Sequence, residues 1–156
     1  MIKKYILALF MGATISQASA QSVQIRDAFR EMPDSLMPYL SKNNRLDFID
    51  FLDSGMKAEV KNSLGGTSEM LSISSDSLSI RMSESLRVDL FAMDSILVMV
   101  ETFTVDSIYG ESRVHYYTTQ WQPVEQPQLS AEQKQRIRRI KLQNIVKRDN
   151  DLLKKR

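Results

Sequence analysis

Side-chain catalysis needs a poised base, nucleophile or metal ligand, and His115 is the one histidine in the 156 residues. It stands between Val114 and Tyr116 in a run of β-branched and aromatic residues, which reads as a strand. The stretch Gly110-Glu111-Ser112-Arg113-Val114 begins like a nucleophile elbow but lacks the second glycine and leads into a strand where that turn leads into a helix. One histidine cannot supply the paired-histidine spacings of zinc sites, and with no cysteine there is neither thiol chemistry nor a disulfide. A hydrolase would need a pocket that joins His115 to a carboxylate. Asp47, Asp50 and Asp53 recur at i, i+3 and i+6 and invite a metal reading, but calcium loops alternate their ligands around a glycine turn, so a solvated helix face is the stronger account. Gly65-Gly66 is followed by neither lysine nor helix and is no phosphate loop. No residue is assigned a catalytic, cofactor-binding or metal-binding role, and no cofactor is expected.

Binding chemistry is better represented. Residues 21 to 130 hold 9 basic and 16 acidic side chains, whereas residues 131 to 156 hold 10 basic and 3 acidic ones. The net charge of +2 arises from Lys3 and Lys4, so the remainder is neutral overall but polar end to end. On a helix, Lys134, Arg136, Arg138, Arg139, Lys141, Lys147 and Arg148 present cations to an anionic surface, a glycan or an envelope protein. The competing account is that this helix neutralises the acidic body of its own chain or of a second copy. The triplet Asp-Ser-apolar occurs at Ser35, Ser77, Ser95 and Ser107. Asp and Ser are turn residues that precede strands, which accounts for most of the recurrence. The triplet also resembles the O-glycosylation signal of exported Bacteroidota proteins, which implies a glycan on at least one of the four serines.

These residues must be held by elements that the hydrophobic period predicts. Val23, Ile25, Ala28 and Phe29 share a helical face, Pro33 ends that helix, and Pro38 limits residues 36 to 40 to a turn or brief helical piece. Asn43 or Asn44 is expected to cap a stronger helix with Leu46, Phe48, Ile49, Phe51 and Leu52 on its apolar face, followed after Gly55 by a further turn or two over residues 56 to 64. After Gly66 the period drops to 2. Five antiparallel strands are predicted, joined by short hairpins, and residues 96 to 100, apolar on both faces, read as a central strand covered on both sides. Residues 123 to 130 read as a linker. Ser130 with Gln133 predicts a capping box opening a helix at Ala131, whose scattered apolar residues predict loose docking or projection.

Residues 1 to 20 have the three parts of a signal peptide: Lys3-Lys4, an apolar run, and Ala18-Ser19-Ala20, with cleavage expected between Ala20 and Gln21. No cysteine follows that site for lipidation, and no later segment is apolar enough to span a bilayer. The predicted organisation is therefore a signal peptide (1–20), an α+β domain (21–122), a linker (123–130) and a basic helical tail (131–156).

The runs Met32-Pro33-Asp34-Ser35-Leu36, Asn44-Arg45-Leu46-Asp47-Phe48-Ile49-Asp50-Phe51 and Asp53-Ser54-Gly55-Met56 resemble the opening of a family of small secreted Bacteroidales proteins of unknown function, over roughly residues 25 to 122. The resemblance implies a Gram-negative envelope location, periplasmic or associated with the outer surface, and supplies no activity. The combined expectation is a non-enzymatic envelope protein that binds an anionic partner, an envelope protein or a second copy, with nucleic acid unsuited to an exported chain. The alternative is a carrier of a lipid or other apolar molecule, with a pocket between sheet and helices lined by Met99, Tyr116, Tyr117 and Trp121.

Overall fold

The computed structural model describes residues 24–104 and 110–153, with side chains described as far as Leu142. Residues 1–20, read above as a signal peptide, the expected Ala20–Gln21 junction and Ser107 lie outside them, as do the side chains of Lys147 and Arg148. Helix α1 (Ile25–Glu31) leads through a 3-10 turn (Asp34–Leu36) to α2 (Lys42–Asp53). Strands β1 (Glu59–Lys61), β2 (Thr67–Ile73), β3 (Ser77–Arg81), β4 (Leu86–Met93), β5 (Ile96–Thr104) and β6 (Gly110–Thr118) follow, then α3 (Ala131–Leu153). The strands pair in chain order as one antiparallel meander. This is the expected α+β architecture with one strand more than the five predicted.

The additional strand is β1, where a further helical turn was expected. Gly55 takes φ 68° and closes α2, and beyond it Ala58, Val60 and Asn62 are buried while Glu59 and Lys61 are exposed. That alternation has the strand period, and tertiary pairing with β2 selects it. The cap of α2 also moves. Ser41, rather than Asn43 or Asn44, is the N-cap: its hydroxyl accepts from the Asn44 N–H at 3.2 Å while Asn44 Oδ1 accepts from the Ser41 N–H at 3.1 Å.

Strand alternation divides the sheet into two faces. On one, Ile80, Val88, Leu90, Leu97 and Met99 pack under Phe29, Phe48 and Ile49 of the N-terminal helices and Leu40 of the segment between them. On the other, Phe91, Met93, Val98 and Val100 pack under Ile137 of α3. Strand β5 is thus covered on both sides, as its two-faced apolar run predicted. The tail does not dock loosely at its start. Ile137 is only 7% exposed, and Ile140 and Leu129 pack beside it, so a short apolar segment seats the first three turns. Residues 122 to 124 do more than link, since Thr118 donates its N–H to Gln122 and Val124 donates to Tyr116, folding the chain back along β6.

Candidate functional site

Two regions gather the residues with binding chemistry. The first is the outer surface of α3. The predicted capping box forms, with Gln133 N–H donating to Ser130 Oγ at 3.1 Å and Ser130 N–H to Gln133 Oε1 at 2.8 Å. Gln133 Nε2 also donates to Asp94 at 2.8 Å in the β4–β5 turn. One turn on, Arg136 donates to Asp76 Oδ2 at 2.8 Å and lies 5.0 Å over the Phe91 ring. The Arg136 hydrogen bond holds the Asp76 carboxyl below its ordinary range, helped by Ser74 and against some loss of hydration. Arg136 is therefore engaged inward, in the way the self-neutralising account expected of the whole tail. Lys134, Arg138 and Arg139 are exposed and Lys141 is half-buried, and none has an ion-pair partner among the described residues.

The second region lies on the opposite face, beneath the segment between α1 and α2. A pocket of about 150 Å³ opens there between Met37 and Tyr39 above and Met82, Met99 and Phe103 below, with Glu101 in its lining. Glu101 Oε2 lies 3.1 Å from His115 Nε2, so the fold does join His115 to a carboxylate beside a pocket. Among the described residues, no serine is hydrogen-bonded to either of them. Ser112 points to the other face, where its hydroxyl lies 3.1 Å from that of Thr102. Of the four residues expected to line a carrier pocket, Met99 does so. Tyr117 and Trp121 fill the core, rings 5.4 Å apart, and Tyr116 packs on the α3 face. Burial first, and then the Glu101 charge, pushes the Tyr117 hydroxyl pKa up.

The serine triplets fall in three settings. Ser35 is exposed in the 3-10 turn, and Ser95 is exposed after Asp94, whose φ is 51°. Ser77 is half-buried and tied down, its N–H donating to Ser74 Oγ at 3.0 Å and its hydroxyl 2.8 Å from that same oxygen. Asp47 and Asp50 are exposed along α2, and Asp53 accepts from Arg26 at 2.8 and 2.9 Å.

Arg45 holds the roof of the pocket, and sequence reasoning passed it over. It is 1% exposed and donates to the carbonyls of Phe29 at 3.1 Å, Leu40 at 3.0 Å and Met32 at 2.5 Å, with Asp34 Oδ1 at 2.7 Å from Nη1. A signal was present: Arg45, Phe48, Ile49 and Leu52 recur at i, i+3, i+4 and i+7, which places an arginine on the core-facing stripe.

A helix-clad antiparallel meander, covered on both faces by elements from the two ends of the chain, defines an α+β domain with no assigned chemistry. The chain belongs to the family described as "Protein of unknown function (DUF3256)", whose model matches residues 17–152. Its fold is similar to that of a domain of an uncharacterized protein from Porphyromonas gingivalis W83, with a TM-score of 0.54 and 23% identity over 69% of this chain. The match spans 59% of the length of that solved chain. No curated protein is significantly similar. Among the described residues, no helix is long and apolar enough to cross a membrane.

Proposed function

We propose that this protein is an exported, non-enzymatic envelope module that binds a polyanion through the outer face of α3. The observation that carries the proposal is the division of labour among the cations of one helix. Arg136 is anchored on Asp76, while Lys134, Arg138 and Arg139 stay exposed and unpaired among the described residues. Lys134, Arg138 and Lys141 follow one another at i, i+4 and i+7 and so form a line. At 1.5 Å of rise per residue that line is roughly 10 Å long, about one Debye length at physiological salt, so an anionic chain meets the summed field of the three. Like charges at these spacings cost the free helix about 0.2–0.5 kcal/mol per pair, a repulsion that a bound polyanion relieves.

Changing Lys134, Arg138 and Arg139 together to glutamate leaves the Arg136 anchor and the Ile137 seat intact. Retention on heparin should be salt-sensitive for the parent protein and lost in the triple variant, with the circular-dichroism melting curve little changed. Equal elution of the two proteins would overturn the proposal. Vesicles containing phosphatidylglycerol, tested in parallel, separate an anionic lipid surface from an anionic glycan.

A further inference from the structure

The pocket over β5 contains one charged side chain, and that side chain has an unused acceptor. Glu101 shares its Oε2 with His115, while its Oε1 accepts no hydrogen bond among the described residues. The strand partner of Glu101 is Arg113, yet the Arg113 guanidinium lies 5.3 Å over the Phe103 ring and forms no ion pair with the carboxylate among the described residues. The rest of the wall is apolar or weakly polar, with three methionines, Met37, Met82 and Met99, beside Tyr39. The Glu101 side chain is 22% exposed, so its carboxylate is partly dehydrated beside the apolar wall, and a cationic donor offsets that loss.

We infer that this pocket is a binding site for a primary amine carrying one compact apolar group. The ammonium donates to Oε1 of Glu101, and the apolar body lies among the methionines. Size sets the upper limit: about 150 Å³ is the volume that in engineered cavities admits a single benzene ring. That volume does not enclose a lipid chain, so the ligand this pocket suits is a small molecule. Charge sets the class. A ligand carboxylate would meet Glu101 at the same wall, and a neutral amphiphile would leave the charge of Oε1 unmatched. Flexible, polarizable thioethers suit a wall that must fit more than one apolar shape. The inference stands apart from α3, which packs on the opposite face of the sheet.

The test uses the whole chain with ¹³C-methyl-labelled methionine, titrated with benzylammonium, benzyl alcohol and benzoate to about 20 mM, a range that covers weak fragment binding. Benzylammonium should move the methyl signals of Met37, Met82 and Met99 saturably and leave that of Met93, on the α3 face, in place. Benzyl alcohol should bind about tenfold more weakly, and benzoate should not bind. Glu101→Gln keeps the shape of the side chain and should weaken benzylammonium by about tenfold, the usual loss when a charged hydrogen bond becomes a neutral one. The methyl spectrum of the free variant reports directly that it is folded. Absence of saturable shifts, equal affinity for the alcohol and the amine, or unchanged affinity in a folded Glu101→Gln would each overturn the inference.

Discussion

Replacing Arg45 with methionine removes the donors that hold the pocket roof while keeping most of the side-chain volume. The guanidinium serves three buried carbonyls, two of them, Phe29 and Met32, at the C-terminal end of α1. Charged hydrogen bonds contribute roughly 1.5–3 kcal/mol each, so their gross sum lies near 5–9 kcal/mol. Methionine recovers part of this through apolar burial. Asp34 is 62% exposed at its side chain, and its ion pair adds no more than about 1 kcal/mol after screening. The net loss expected is about 3–5 kcal/mol, the range seen when one member of a buried polar set is removed. With a urea dependence of about 2 kcal/mol per molar for a domain of this size, the unfolding midpoint should fall by roughly 2 M. Asp34→Asn, which spares the carbonyl contacts, should lower it by less than about 0.5 M. A midpoint for Arg45→Met within about 0.5 M of the parent would refute the assignment of Arg45 as the tie between the two helices and the segment joining them.

Asp76 has a folded-state pKa below its ordinary value of 3.8, first because of the Arg136 hydrogen bond. Its contribution is therefore complete above that value and fades as pH falls through the folded pKa. Asp76→Asn should lower stability at pH 7 by at most about 1 kcal/mol, because the pair is half exposed, and the gap to the parent should close as urea titrations are repeated at progressively more acid pH. An undiminished gap in acid would show that the loss belongs to the turn with Ser74. Intact mass spectrometry of protein purified from its native host should show a chain that begins at Gln21 and carries added mass that Ser35→Ala or Ser95→Ala removes and Ser77→Ala does not, since the Ser77 hydroxyl is held within its turn. A bare mass beginning at Gln21 would support cleavage and refute modification.

Where a feature depends on residues adjacent in the chain, the amino-acid sequence determined it. The change of period after Gly66 announced the meander, the two-faced apolar run announced β5, and the Ser130–Gln133 pair placed the start of α3, because side-chain period and capping are local geometry. The same rule applied to Ala58, Val60 and Asn62 reads as β1, though the segment is too short for its period to stand out beside a neighbouring helix. Tertiary structure decided which surface covers which. Ile137 and Ile140 belong to a helix with no continuous stripe, and only the apolar patch of Phe91, Met93, Val98 and Val100 made them a docking face. Trp121 reaches across 93 positions to the Ala28 carbonyl. Glu101 meets His115 only through the register of β5 on β6. Period records which side of an element avoids water, while the partner that removes the water is chosen by contacts between distant parts of the chain.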